Sequence, residues 1–196
     1  MFSLVVCILV FCAIAIRQIG PWHVPMWLSM SLGAVVVLLF GKISLAAAWI
    51  AIDWQVIFYL GGAFVIADSL AHSQILTVAT RNYLHNKHSV FALFCVLILA
   101  AALVSALLMN DAAALLFAPI LLQVAKDLKQ PSEPWLLALC FAVTIASVCS
   151  PVGNPQNLLI AIQSGVAQPF AVFIKTLLLP SLINLLVLLA VACGCD

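Results

Sequence analysis

The sequence predicts an all-α integral membrane protein, and both its composition and its apolar runs support this fold class. Of the 196 residues, 67% are hydrophobic and 7% are charged, whereas about a quarter of an ordinary soluble domain is charged. The mean hydropathy is +1.31. Charged and turn-forming residues divide the chain into apolar runs near the roughly 17 to 25 residues of a membrane-spanning helix. We therefore expect a lipid bilayer as solvent, and the net charge of +1 gives no basis for nucleic-acid binding.

The first part of the chain predicts three crossings and one helix along the membrane surface. Residues 2–16 have neither the basic start nor the cleavage site of a signal peptide, so we predict a retained first helix. Residues 24–40 predict the second crossing. The third, over residues 54–70, follows Asp53, whose carboxylate can cap it. Residues 71–88 mix polar and apolar positions at helical spacing, which predicts an amphipathic helix at the interface.

A polar pair interrupts the next apolar stretch. Residues 90–109 form a long apolar arm, Asn110 and Asp111 follow, and residues 112–125 form a second arm that is short for a crossing. This pattern is typical of a re-entrant helical hairpin, which returns to the face of the membrane that it came from. Residues 126–134 then predict a surface loop.

The apolar stretch at residues 135–162 predicts one broken helix. Its centre, from Ser150 to Asn157, contains two prolines and a glycine, which do not continue a helix. Residues 170–191 predict a last full crossing, with Pro180 as a kink.

With the hairpin entering and leaving one face, these segments make five predicted crossings in a single transmembrane domain, residues 1–196. A second unit of the same design would insert upside down, which is the inverted-repeat construction of many secondary transporters. Basic residues favour the cytoplasmic side, so we predict a multi-pass protein of the cell's inner (plasma) membrane with a cytoplasmic hairpin face. The basic residues on that face are Arg17, Arg81, Lys87, Lys126 and Lys129, against Lys42 and Lys175 on the other.

The two interruptions predict an ion and substrate site. A broken helix at membrane depth persists only where protein or a water-filled cavity surrounds it. At the first interruption, carbonyls at the end of one arm can coordinate a cation, and the next arm begins with N–H groups and a positive dipole end. At the second, Asn154 is predicted as an N-cap and Pro155 as the first helical residue, so the half-helix that follows offers an anion site.

Several polar side chains near the interruptions have two interpretations. A carboxylate at membrane depth costs about 2.5 to 3.5 kcal/mol, so Asp111 is either a ligand or proton carrier, or a helix cap at a shallow tip. Thr144, Ser147 and Ser150 either ligate or hydrogen-bond back to the preceding turn.

Two motifs resemble those of a known group of transporters. Residues 109–120 read MNDAAALLFAPI, and residues 150–160 read SPVGNPQNLLI. The first resembles the hairpin-tip motif of the ion transporter superfamily, and the second resembles the signature at its broken helix. This superfamily includes arsenite permeases, citrate and dicarboxylate transporters and some sodium/proton antiporters. Its third-helix pattern is resembled by Asp-Trp at residues 53–54 followed by Gly-Gly at residues 61–62. Taken together, these resemblances cover nearly the whole chain.

The resemblance implies a site for substrate and coupling ion, made by the hairpin tip and the broken helix. Na⁺ or H⁺ is the implied coupling ion, and no cofactor is expected. The resemblance implies Asn110 and Gly153 as a sodium site. The implied binding residues are Asn110, Asp111, Gly153, Asn154 and Asn157, and Ser150 joins them as a hydroxyl beside the break.

The family fold contains two inverted repeats, and this chain corresponds to the first. We therefore expect a second transporter half, either separately encoded or supplied by an antiparallel copy in a homo-oligomer; a truncated gene product is the third hypothesis. The five-to-two distribution of basic residues argues against equal insertion in both orientations. The antiparallel homodimer therefore ranks below the other two hypotheses together.

The leading hypothesis for function is a secondary active transporter half-unit that moves an anion, such as a carboxylate or an oxyanion, with Na⁺ or H⁺. A sodium/proton antiporter with Asp111 as the exchanging group is the alternative within transport. From another class, the chain is an accessory subunit or a truncated membrane protein that does not transport. The sequence has no nucleotide-binding loop, which argues against ATP-driven pumping by this chain alone. We predict no enzyme activity, because its spanning segments carry no Ser/His pair and no H-E-x-x-H.

Overall fold

The computed structural model describes residues 2–16, 18–19, 22–41, 43–73, 78 and 89–193. These residues form nine helices and one pair of two-residue antiparallel strands, so the predicted all-α class is confirmed. The strands are β1 (Gln18–Ile19) and β2 (Trp22–His23). The helices are α1 (Phe2–Ile16), α2 (Met26–Leu39), α3 (Leu45–Ile50), α4 (Trp54–His72), α5 (Val90–Leu107), α6 (Asn110–Asp127), α7 (Ser132–Ser147), α8 (Pro155–Gln163) and α9 (Pro169–Cys193).

The chain divides into two compact units, and the first is Met1–Trp54. Its helices α1 and α2 pack against each other, with a close approach at Gly33. A Cβ at Gly33 would lie 2.4 Å from Val10 Cγ2, so glycine lets the two helices come together there. Both helices occupy stretches that the sequence predicted as helical. The short helix α3, which the sequence did not predict, begins at Ser44, whose hydroxyl accepts a backbone hydrogen bond at 3.1 Å.

The second unit is Gln55–Asp196. Within it, α5, α6 and α7 pack against one another, and α9 packs against α7. Phe94 on α5 meets the ring of Trp135 on α7 edge-on, at a centroid distance of 5.1 Å. Alanines line the contacts and allow the helices to approach closely. Fully buried examples are Ala101, Ala113 and Ala142.

The second arm of the hairpin is longer than the sequence predicted. Helix α6 has 18 residues, as many as α5, and it extends two residues beyond the predicted arm of residues 112–125 at each end. Asn110 and Asp111 form its first turn, and Lys126 and Asp127 extend its last turn instead of lying in a loop. Asp111 and Lys126 favour these helix ends, because an acidic side chain stabilises an N-terminus and a basic one a C-terminus.

The predicted break in the following helix is present. Helices α7 and α8 replace the single run, and residues 148–154 between them are not helical. Helix α9 follows as a continuous helix of 25 residues with Pro180 inside it. Helices α7 and α8 therefore match the predicted broken helix, and α9 matches the long helix predicted after it.

Among the described residues, three helices are long and apolar enough to cross a membrane, namely Trp54–His72, Val90–Leu107 and Pro169–Ala192. Helices α1, α2 and α7 are apolar but shorter. The arrangement of five crossings and the single transmembrane domain therefore stay predictions. Most of the amphipathic helix predicted over residues 71–88 lies outside the described residues. So do four of the seven basic residues used to predict sidedness, Arg17, Lys42, Arg81 and Lys87.

Candidate ion and substrate site

The first break, Leu108–Met109, joins the two arms of the hairpin. The Leu108 N–H still donates to the carbonyl of Val104 at 2.8 Å, but Met109 has an extended backbone, with φ 173° and ψ 158°. Met109 is fully buried. Asn110 then begins α6, and its Oδ1 accepts a hydrogen bond from the Asp111 N–H at 2.9 Å. Helix α5 therefore ends at Leu107, three residues before the polar pair that predicted the interruption.

The second break, residues 148–154, ends at a capped helix. Asn154 Oδ1 accepts a hydrogen bond from the Asn157 N–H at 2.8 Å, and Pro155 is the first helical residue. Both features were predicted from the sequence and are confirmed. The cap satisfies one of the N–H groups that have no partner inside the helix, and it fixes where α8 begins.

The side-chain amide of Asn157, in the first turn of α8, bonds to backbone carbonyls at the second break. Its Nδ2 donates to the carbonyl of Ser147 at 3.2 Å and to the carbonyl of Ser150 at 2.9 Å, and it lies 3.3 Å from the carbonyl of Val148. The carbonyls of Ser147 and Ser150 also accept backbone hydrogen bonds, from the N–H groups of Ser150 at 3.4 Å and of Gly153 at 3.2 Å. The Asn157 amide thus adds side-chain hydrogen bonds to carbonyls at the end of α7 and within the break.

Gly153 lies where the backbone of the second break folds onto the end of α7. A Cβ at this position would lie 2.1 Å from the carbonyl oxygen of Ser147 and 2.7 Å from its Cα. Contacts that short do not occur, and backbone atoms cannot rotate away as a side chain can. The position therefore requires glycine because of close backbone approach.

The two breaks are in direct contact. The N–H of Asn110, the first residue of α6, donates to the carbonyl of Gly153 at 2.9 Å. This hydrogen bond confirms the prediction that the two interruptions meet. It brings the N-terminus of α6, the end of α5 and the start of α8 to one place.

Tyr59 on α4 also reaches both breaks, and the sequence did not predict this role. Its hydroxyl lies within hydrogen-bonding distance of the carbonyl of Leu108 in the first break, and of the carbonyl of Val152 in the second at 2.8 Å. The available signal was a phenol within the apolar run of a candidate spanning helix, since a buried tyrosine hydroxyl usually finds a partner.

The hydroxyl side chains before the second break mostly bond locally. Thr144 Oγ1 donates to the carbonyl of Cys140 at 2.7 Å, and Ser147 Oγ donates to the carbonyl of Thr144 at 2.9 Å. Both hydroxyls therefore bond back to the preceding turn, which is one of the two interpretations of these residues given above. Ser150 Oγ instead accepts from the Val152 N–H at 3.3 Å within the break itself.

The family comparison agrees with this geometry. The citrate transporter family matches the chain over residues 4–194, which include both breaks. The chain belongs to the citrate transporter family. The predicted resemblance to the ion transporter superfamily is thereby confirmed, and the family and two of the three relatives given below are named as transporters, not enzymes.

The individual relatives of this member of the citrate transporter family are transporters or membrane proteins that are longer than this chain. A silicon efflux transporter of Oryza sativa subsp. japonica is 33% identical over 81% of the chain and 33% of that protein. The inner membrane protein YbiR of Escherichia coli is 32% identical over 63% of the chain and 33% of its own length. An uncharacterized transporter of Mycobacterium tuberculosis is 36% identical over 58% of the chain and 27% of its own length. The chain thus spans about a third of these relatives, and no solved structure matches it.

The polar groups at the two breaks of this citrate transporter family member are mostly uncharged. Asp111 is exposed, whereas Asn110, Asn154 and Asn157 are half-buried and Ser150 is buried. Within the described part of the chain, no group of three or more His, Cys, Asp or Glu residues is placed to hold a metal ion.

Proposed function

We propose that this chain supplies one half of the substrate and coupling-ion site of a secondary transporter that moves an anion together with Na⁺ or H⁺. The observation that supports this most strongly is the hydrogen bond of 2.9 Å from the Asn110 N–H to the Gly153 carbonyl. It joins two interrupted helices, and interrupted helices near the membrane midplane form the substrate and ion sites of many secondary transporters.

The coupling ion is proposed to bind on the carbonyl side of this contact. Helix α5 ends at the first break, so the negative end of its dipole and the carbonyl of Leu108 are directed there. The carbonyl of Gly153 accepts one hydrogen bond from Asn110 and keeps a second lone pair. The Leu108 carbonyl already accepts from the Tyr59 hydroxyl, so the Asn110 side-chain oxygen and the Gly153 carbonyl are the proposed sodium ligands.

The anion is proposed to bind at the N-terminus of α8 rather than that of α6. Asp111 lies in the first turn of α6, where its negative charge complements the helix dipole and opposes an anion. The first turn of α8 has no acidic residue. Since Pro155 has no N–H and the Asn157 N–H bonds to Asn154, the Gln156 N–H is the donor proposed to face the anion.

A second transporter half is proposed to complete this site. Asp111 is exposed at the meeting point of the breaks, and an unpaired carboxylate at membrane depth is costly unless protein or water surrounds it. The chain also corresponds to only about a third of its relatives. We propose a separately encoded half or an antiparallel copy as the partner, in the inner (plasma) membrane, with five crossings in this chain and the hairpin face cytoplasmic.

The test is uptake into proteoliposomes by the chain, purified in mild detergent with the polypeptides that copurify. Labelled citrate, a labelled dicarboxylate and labelled silicate are supplied with a sodium gradient, a proton gradient or neither. We expect uptake of at least one anion, and we expect it to depend on one of the two gradients. Uptake that stays at the level of protein-free liposomes for every anion and gradient would refute the proposal.

The same vesicles distinguish the antiporter hypothesis. A sodium/proton antiporter would dissipate a preset pH gradient when sodium is added in the absence of any anion, and Asp111→Asn would abolish this exchange. For an anion transporter, sodium without anion leaves the pH gradient unchanged. Asp111→Asn tests whether its charge also serves anion uptake, because it removes the charge and keeps the size of the side chain.

A further inference from the structure

Tyr59 lies outside both breaks, and its hydroxyl contacts both. It lies on α4, and its hydroxyl approaches carbonyls that are 49 and 93 residues away in the chain. The turn of the hairpin packs on the same face of α4, because Ala63 and Ala67 form a buried cluster with Met109 and Ala112. Tyr59 packs against this cluster. Its ring is therefore held in place independently of the two hydrogen bonds.

The contact is unusual, because the Tyr59 hydroxyl has one hydrogen to donate and two carbonyl acceptors lie close to it. A tyrosine hydroxyl can donate to only one carbonyl at a time, yet the oxygens of Leu108 and Val152 both lie within hydrogen-bonding distance. Three oxygens thus converge around a single hydrogen. When the hydrogen is directed to one break, the carbonyl of the other break is left free to face a cation.

We propose that Tyr59 is a positioning residue whose hydroxyl sets the spacing of the two breaks and thereby the affinity of the coupling ion. This inference rests on the proposed function, since it names a residue that tunes the same site. Tyr59 acts through the Leu108 and Val152 carbonyls, and movement of α4 would be transmitted to both breaks through this one hydroxyl.

Tyr59→Phe tests the proposal, because it removes the hydroxyl and retains the packed ring. The matched control is Ser105→Ala. Ser105 is fully buried, and its Oγ donates to the carbonyl of Val143 at 2.6 Å, joining α5 to α7 about one helical turn before each break. Both variants thus lose one hydroxyl-to-carbonyl bond between helices, and only Tyr59→Phe loses it at the breaks.

The first readout is amide hydrogen exchange in nanodiscs, which does not require transport. In Tyr59→Phe we expect exchange to rise by about threefold or more in peptides covering residues 108–113 and 150–157, because local opening follows the loss of the hydrogen bond. Ser105→Ala should leave these peptides at the wild-type rate. Equal exchange in wild type and Tyr59→Phe would overturn the proposal, whether or not the chain transports.

The second readout is the dependence of uptake on coupling-ion concentration, measured by titrating Na⁺ and H⁺ separately. In Tyr59→Phe we expect the half-saturating concentration of the coupling ion to rise roughly three- to tenfold, which corresponds to the loss of one hydrogen bond. The maximal rate should change less, and Ser105→Ala should leave the half-saturating concentration unchanged. A variant that loses only maximal rate, or a control that shifts equally, would overturn the proposal. If wild type takes up no anion while Tyr59→Phe alone raises exchange, the proposed function falls and the structural link made by Tyr59 stands.

Discussion

Replacing Gly153 by alanine places one methyl group against the backbone at the centre of the second break. The new Cβ would lie 2.1 Å from the Ser147 carbonyl oxygen, against roughly 3.3 Å for an ordinary carbon–oxygen contact. The two backbone segments must therefore separate by about 1 Å. Because the Gly153 carbonyl is also the acceptor for the Asn110 N–H, this shift displaces the contact between the breaks.

The size of the effect follows from that displacement. A misplacement of about 1 Å in a binding or reacting group costs about 100-fold in rate, and forcing a methyl group into a packed site costs about 1 to 3 kcal/mol of stability. We therefore expect anion uptake by Gly153→Ala to fall by about 100-fold. The variant should still insert and purify, because the packing of α5, α6 and α7 lies outside the break.

Uptake into proteoliposomes at matched protein content measures the loss, and Gly61→Ala is the control. Nothing lies within 4 Å of a Cβ built at Gly61, and alanine is the better helix former, so this second glycine substitution should leave uptake unchanged. The reasoning is refuted if Gly153→Ala transports like wild type, or if Gly61→Ala is equally inactive.

Two further substitutions test the parts of the second break. Asn154→Ala removes the N-cap of α8, so we expect a loss of about 1 kcal/mol in the free energy of unfolding and weaker anion binding. Ser44→Ala removes the cap of α3 and should lower stability without changing anion affinity; an equal loss of affinity would count against the proposed anion site. Asn157→Asp replaces the donor amide by a carboxylate that faces the same carbonyls, and the unfavourable contact should cost at least about 1 to 3 kcal/mol. Thermal unfolding measures the stability of both variants. Asn184→Ala is the control, because it loses a side-chain amide hydrogen bond within its own helix. If Asn157→Asp is as stable as this control or more stable, the Asn157 amide does not bond the carbonyls of the second break as described.

The sequence was informative where the signal is local. Asn154 followed by Pro155 marks a helix start by short-range chemistry alone, and the structure has both in the predicted positions. The back-bonded hydroxyls of Thr144 and Ser147, one of the two interpretations that the sequence left open, are equally local. Such features depend on residues within one turn, so they can be predicted without knowledge of the fold.

The sequence was less informative where tertiary packing determines the position of a break or the partner of a side chain. The first break falls at Leu108–Met109, two apolar residues with no breaking tendency of their own, and Met109 is held extended while buried against Ala63 and Ala67. The partners of Tyr59 are carbonyls far along the chain. Backbone carbonyls have no sequence signature, so neither the exact break nor the role of Tyr59 could be predicted from residue types.

Disulfide cross-linking in the membrane tests the contact between the breaks most directly. The hydrogen bond of 2.9 Å between Asn110 and Gly153 places the α-carbons of Asn110 and Asn154 within about 7 Å, the upper limit for a disulfide. In a background without the seven native cysteines, the pair Asn110→Cys and Asn154→Cys should cross-link readily on mild oxidation. The pair Asn110→Cys and Gln163→Cys, about 13 Å farther along α8, should not. If the first pair fails to cross-link, or if both pairs cross-link alike, the two interrupted helices do not meet as described.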